Sequence, residues 1–273
     1  MLRALAVVVA TGVASALLSC WIVHMGWSLM GDAVSHAVLP GVVIASIAGL
    51  PFAVGALAAA LVAVVLIGGL REAGDVREDT AMGIVFTGLF SLGLVLITLF
   101  PSGQDLQGIL FGNVLGIGDA DLVQVLVVVA VVVTALLVLR RDLVLVAFDH
   151  RHARSLGLPV RALIGVLLVS LAAATVAGVQ AVGVILVVAT LVVPGATAQL
   201  LVDTMRGMAV VAVAVALVSG IGGLYLGYHL DLPPGPVIVL LQCLLFVAAQ
   251  LGAPRRGLLA RLRRPRRVDS LVP

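Results

Sequence analysis

Asp32 and His36 stand four residues apart in the segment from Trp27 to Gly41, in a 273-residue chain that is 62% hydrophobic and 11% charged. On a helix such a pair shares one face. A charged side chain held in hydrocarbon costs roughly 2.5–3.5 kcal/mol on insertion scales, so something must offset the placement. Two chemistries would do so: a hydrogen bond between carboxylate and imidazole, or a metal ion or proton passing along a polar path. Carboxylate plus imidazole, with no thiolate nearby, suits Mn²⁺, Fe²⁺ or Zn²⁺ better than Cu⁺. Ser28 and Ser35 can add oxygen ligands or hydrogen-bond the imidazole and so fix its tautomer. Pro40 follows His36 by four residues, so it takes away the N–H that would bond the His36 carbonyl and its ring crowds that oxygen. A kinked, partly unwound helix is expected there, a form tolerated at membrane depth where the backbone faces protein or a water-filled path.

Three other segments hold polar groups in suggestive places. Phe148 to Pro159 reads as a short helix with Asp149 near its start and Gly157 at its end. It is either a solvated connector or an amphipathic helix that docks into a soluble partner, and its His150 and His152 read as surface residues. Pro194, within Leu191 to Ala198, predicts a break in an apolar run, as a gate or as a packing feature. The stretch from Arg71 to Thr80 mixes both charge signs and reads as a solvated turn, with Asp79 or Thr80 capping the next helix. His24 and His229 fall near the ends of apolar runs, where an interfacial role is expected.

The elements that must position these groups follow from hydropathy. A mean hydropathy of +1.28 and repeated apolar runs near 20 residues make a bilayer the natural solvent for the chain. Spans are expected near 4–23, 32–49, 52–70, 81–100, 122–139, 162–178, 180–200, 207–228 and 235–251, giving an all-α polytopic membrane protein of about eight or nine transmembrane helices. Runs such as Val125 to Val133 lack the alternation of barrel strands. Most of the 30 glycines are scattered through the spans, as expected where helix backbones approach closely. Cys20 and Cys243 both lie in apolar runs and are expected to be buried and inert, forming neither a disulfide framework nor a thiolate metal cluster. Leu17 to Cys20 loosely resembles a lipoprotein cleavage box, but Trp21-Ile22-Val23 extends the run, and α-helical continuation is expected in place of cleavage.

Every basic residue is arginine. Arg140, Arg141, Arg151, Arg154 and Arg161 surround one loop, and seven arginines crowd the stretch after residue 254. The positive-inside rule puts both on the cytoplasmic side. Four spans separate them, so the two assignments agree, and the same parity places the 71–80 turn inside and the first residues outside. The chain thus divides into a transmembrane domain over 1–254 and a basic cytoplasmic tail over 255–273 that contacts lipid headgroups. No G-x-x-x-x-G-K-[ST] phosphate loop occurs, so ATP-driven transport would need a separate ATPase. Nothing points to nucleic acid.

Ser28-Leu29-Met30-Gly31-Asp32-Ala33-Val34-Ser35-His36-Ala37-Val38-Leu39-Pro40-Gly41 is joined, in order along the chain, by Glu78 to Ile84, Leu110-Phe111-Gly112-Asn113, Phe148-Asp149 with Ala153 to Leu158, Gly183 to Ala189, Pro194 to Ala198, and Asp231 to Pro236. With these motifs the chain resembles the permease subunits of the ABC importers for manganese, zinc and iron, the ABC-3 family. It departs from them at Met25-Gly26-Trp27, where the family usually has a basic pair, and at Asn113, where an acidic residue is common. The resemblance implies a type II-like ABC importer permease in a bacterial cytoplasmic membrane. It also implies a second permease subunit, most simply an identical one, a cytoplasmic ABC ATPase dimer that uses the ATP, and an extracytoplasmic metal-binding protein. On this reading Asp32 and His36 match the acidic and histidine positions of the translocation path, and the metal is cargo, with no covalently bound cofactor. Asp149, Ala153, Arg154, Gly157 and Leu158 match the segment that meets the ATPase.

Two other readings compete with this one. An ABC permease for a siderophore- or cobalamin-like cargo would tolerate loss of the Asp/His pair. A stand-alone carrier driven by an ion gradient would use the pair as a proton relay.

Overall fold

Backbone groups in hydrocarbon have no water to bond, so an apolar run must satisfy them within itself. Each expected run does so as a helix. The computed structural model describes residues 2–73, 77–100 and 118–253. Among them, nine helices are long and apolar enough to cross a membrane: α1 (Leu2–His24), α2 (Met30–Ile47), α3 (Phe52–Ala73), α4 (Glu78–Leu99), α5 (Asp119–Val138), α8 (Val160–Val182), α9 (Val184–Leu201), α10 (Met205–His229) and α11 (Pro234–Gly252). Between α5 and α8 lie two short helices, α6 (Arg140–Phe148) and α7 (His150–Ser155). The 255–273 tail and the Leu110 to Asn113 motif lie outside the described residues.

The spans form two groups. α2 packs on α3 and α4, while α1 and α11 each pack on α9 and α10, which also pack on each other. α8 joins the groups, touching α2 and α3 as well as α1, α5 and α9. α1, the run with the cleavage-box look, has buried residues along its whole length.

Contacts at the helix ends order the two faces of the bundle. Arg3 pairs with Asp119 at 2.8 Å, and the Gln124 amide donates to Gln180 Oε1 at 3.0 Å, so the starts of α1 and α5 share a side with the end of α8. At the other end of α1, His24 lies against Phe148 with ring centroids 4.1 Å apart. The α6–α7 segment is thereby held beneath the end of α1, on the face opposite Arg3. This is the alternation that the span parity requires.

Four local expectations are corrected. α2 runs unbroken through Pro40 and α9 through Pro194, where a partly unwound helix and a broken span were expected. A proline costs one ladder bond and crowds one carbonyl, and the neighbouring helices packed on both segments hold the helical path. α4 begins after Arg77 in extended conformation with no side-chain cap, and the Asp79 carboxylate accepts from the adjacent Thr80 N–H. Cys243 is exposed on α11, whereas Cys20 is buried on α1.

Among the described glycines, the tightest approach to backbone sets α2 against α3. A Cβ on Gly41 would run into the Gly55 carbonyl, and one on Gly55 into the carbonyl of Gly41. Only hydrogen at both positions allows this crossing, with each carbonyl facing the other glycine's Cα.

Candidate functional site

The first turn of α2 places Asp32 and His36 on one face. Asp32 Oδ1 and His36 Nε2 are 3.4 Å apart, with the two side chains 39% and 24% exposed. That spacing exceeds the 2.7–3.2 Å of a well-formed N–H···O bond. Ser35 points elsewhere. It is buried, and its hydroxyl donates to the Gly31 carbonyl at 2.5 Å and approaches the Asp32 carbonyl at 3.2 Å. This is the usual back-bonding of a helical serine. Ser28 lies in the turn before α2, partly buried, and Pro40 is buried one turn beyond His36.

Two residues that the sequence reading did not single out complete the surroundings. The rings of Phe86 and Phe90 on α4 meet the His36 imidazole at centroid distances of 5.2 and 5.4 Å, both edge to face, and stack on each other at 5.9 Å. These are favourable aromatic geometries. One turn further along the same face, a Cβ on Gly93 would come within 2.8 Å of the Leu39 side chain. The spacing of Phe86, Phe90 and Gly93 at i, i+4 and i+7 was readable as a helix face. Without the fold, nothing said that this face meets α2.

On its other side the start of α2 rests on α9, where a Cβ on Gly31 would come within 3.0 Å of Leu191. Pro194 is buried one turn beyond Leu191, and Gly195 lies against the Ser19 carbonyl of α1, 2.5 Å from where its Cβ would be. Pro194 therefore adjoins a tight α1–α9 contact made by Gly195. Among the described residues no third His, Cys, Asp or Glu joins the pair to make a cluster. One chain offers a cation two side-chain ligands on a partly open face.

The second candidate, α7, is built by capping. Asp149 Oδ1 accepts from the backbone N–H groups of Arg151 and His152, both at 2.9 Å, and so starts α7. The His152 N–H, ahead of that of Arg151, holds this exposed carboxyl below the usual carboxylate range. At the other end Gly157 has φ +77°, with Gly157 N–H bonded to Arg154 O at 3.0 Å and Leu158 N–H to Ala153 O at 3.1 Å. That pattern is a Schellman end, which favours glycine. Ala153 is buried and anchors the short helix, whereas Arg151, His152, Arg154 and Leu156 are exposed. The 140–148 helix was not expected from the sequence. Its buried face, Leu143 and Val146, is too short to separate from the run before it by pattern alone.

Asp149→Ala removes the acceptor for both N–H groups, so amide exchange across 150–155 should quicken, while Asp149→Asn should keep most of the protection. Because the folded carboxyl is held below its unfolded value, the cap contributes fully above the unfolded value and is lost as pH falls through the folded one. Hydrogen exchange read by mass spectrometry at neutral and acid pH checks both. Equal exchange in wild type and Asp149→Ala would refute the capping role.

A model of the ABC 3 transport family matches residues 1–253. The chain is 45% identical over 260 residues to the manganese transport system membrane protein MntB of Synechocystis sp., covering 95% of this chain and 85% of that protein. It is 46% identical over 249 residues to the chelated iron transport system membrane protein YfeD of Yersinia pestis, covering 91% of this chain and 84% of that one. Its fold is similar to a chain of PsaBC from Streptococcus pneumoniae in complex with Fab, with a TM-score of 0.86 and 34% identity over 96% of this chain and 94% of that chain.

Proposed function

This chain belongs to the ABC 3 transport family, and we propose that it passes a divalent transition-metal ion, Mn²⁺ or Fe²⁺, along a path lined by Asp32 and His36. It is the membrane permease subunit of a metal-ion ABC importer, in keeping with relatives named as manganese and chelated iron transport system membrane proteins. The observation that carries the assignment of the pair is the 3.4 Å between Asp32 Oδ1 and His36 Nε2 on a partly open face. Two ligand atoms about 2.1 Å from one ion lie about 3.0–3.4 Å apart at octahedral or tetrahedral angles. A carboxylate oxygen and an imidazole nitrogen together suit Mn²⁺ and Fe²⁺, and Zn²⁺ as well. Two ligands make a transient stop, as a path needs. A second copy of this chain facing the open side of α2 would bring a second Asp/His pair to the same ion. Phe86 and Phe90 hold the imidazole so that its nitrogen stays on that side.

The energy comes from a separate cytoplasmic ATPase dimer that receives α7, whose exposed Arg151, Arg154 and Leu156 make a compact docking face beside Gly157. An extracytoplasmic metal-binding protein delivers the ion on the opposite side. In this arrangement the arginine-rich 255–273 tail and the α6–α7 segment lie in the cytoplasm of a bacterium, and the start of α1 lies outside the inner membrane.

Reconstitution tests the whole reading. Proteoliposomes holding only this chain should accumulate no Mn²⁺ under a proton or sodium gradient. Uptake should appear once the ATPase, internal ATP and an external metal-loaded binding protein are supplied. Gradient-driven accumulation by the chain alone would overturn the ABC reading and make Asp32 and His36 a proton relay.

A further inference from the structure

Gln242 lies on α11 with 0% of its surface exposed, and neither its Oε1 nor its Nε2 has a hydrogen-bond partner among the described residues. An amide left unpaired in a bilayer-spanning bundle is costly, because no bulk solvent reaches it. The side chain lines a small cavity between α1, α9, α10 and α11, together with Thr11, Ser15, Thr190, Gly220 and Ile238. These residues come together at one depth. At 1.5 Å per residue, Thr11, Thr190, Gly220 and Gln242 lie about 9–14 Å from the Leu2, Val184, His229 and Pro234 ends of their helices.

Two of the lining hydroxyls have already placed their protons. Thr11 donates to Val7 O at 2.7 Å, and Thr190 donates to Leu186 O at 2.8 Å and Val187 O at 3.0 Å. Each therefore presents oxygen lone pairs, while Gln242 and the Ser15 hydroxyl bring both a donor and an acceptor. The space open to the centre of a water-sized sphere is about 10 Å³, close to the 10–15 Å³ that one water needs.

We infer that this cavity is a binding site for a single internal water that accepts from Gln242 Nε2–H and donates to the Oγ1 of Thr11 or Thr190. A monovalent cation fits the chemistry less well, since it would engage the oxygens and leave the Nε2–H groups unpaired. The water links the C-terminal span to α1 and α9 by bonds that can be remade as helices shift. It belongs to a different part of the bundle from Asp32 and His36, on the α1–α9–α11 side.

The full chain, labelled with ¹⁵N-glutamine and reconstituted in lipid bilayers, tests this by water-edited solid-state NMR. The Gln242 side-chain amide, assigned as the signal lost in Gln242→Leu, should receive water magnetisation while remaining protected from exchange. If Gln242→Leu does not insert, Gln242→Asn keeps an amide at a shifted frequency and gives the assignment. Thr11→Val with Thr190→Val removes acceptor oxygens at nearly constant shape and should reduce the transfer at least twofold. A Gln242 amide with no water transfer, or transfer unchanged in the double variant, would overturn the inference. A frequency that moves when Na⁺ and K⁺ are replaced by choline would overturn it in favour of a cation.

Discussion

Uptake of ⁵⁴Mn²⁺ should fall at least about 100-fold in Asp32→Asn and in His36→Ala, measured in cells or proteoliposomes holding the complete importer. Loss of a partner outside the metal's immediate ligands costs about 10–100-fold in affinity or activity, and these changes remove a proposed ligand itself. The fold should survive both. The two side chains are 39% and 24% exposed and their mutual contact is 3.4 Å, so little stability rests on them. A partly exposed ion pair contributes about 0–1 kcal/mol. Membrane abundance, melting temperature and association with the ATPase should therefore match wild type. Wild-type uptake in both variants would retire the path assignment and leave the pair a structural contact between neighbouring helical turns. Changing Phe90 to Leu makes a useful companion, since it frees the imidazole without removing a ligand. A smaller loss of uptake is expected there than in His36→Ala.

The second large effect is on the architecture that holds the pair. Gly41→Ala should destabilise the chain by about 1–3 kcal/mol, the usual range for overpacking, because the new methyl would collide with backbone at Gly55 and not with a flexible side chain. α2 would have to move off α3, carrying Asp32 and His36 with it, so uptake should fall together with melting temperature. Gly68→Ala on α3 is the control. Nothing lies within 4 Å of a Cβ built there, and replacing a mid-helix glycine by alanine should stabilise by up to about 1 kcal/mol. An unchanged melting temperature in Gly41→Ala would show that α2 and α3 do not approach closely in the membrane. Gly55→Ala should behave like Gly41→Ala, since the two glycines face each other.

Much of this protein was readable from residue order. The nine spans followed from apolar runs set against the roughly 30 Å thickness of hydrocarbon, a constraint acting on each segment separately. Asp32 and His36 stood out for the same local reason, an ionisable pair in an apolar run. The start and stop of α7 were legible because Asp149 and Gly157 act on backbone within a few residues of themselves. The prolines misled for a related reason. Pro40 and Pro194 each remove one hydrogen bond, a local cost that the sequence reports, while the packing on α2 and α9 that keeps both helices continuous comes from residues far along the chain.

Tertiary structure alone decided which faces meet. That Phe86 and Phe90 flank His36 depends on α4 crossing α2, and in a chain whose spans are apolar on every side no hydrophobic stripe marks the inward face. The Gly41–Gly55 crossing could not be told from the other glycines, because close approach is a property of two backbones. Gln242 is the same case: one polar residue in an apolar span reads alike whether it faces lipid, a partner or a cavity. Only the convergence of α1, α9, α10 and α11 sets it beside Thr11 and Thr190. In a bilayer, the sequence by itself determines which segments cross, because lipid acts on each segment independently. Their mutual arrangement is set by close packing and polar satisfaction between segments distant in the chain.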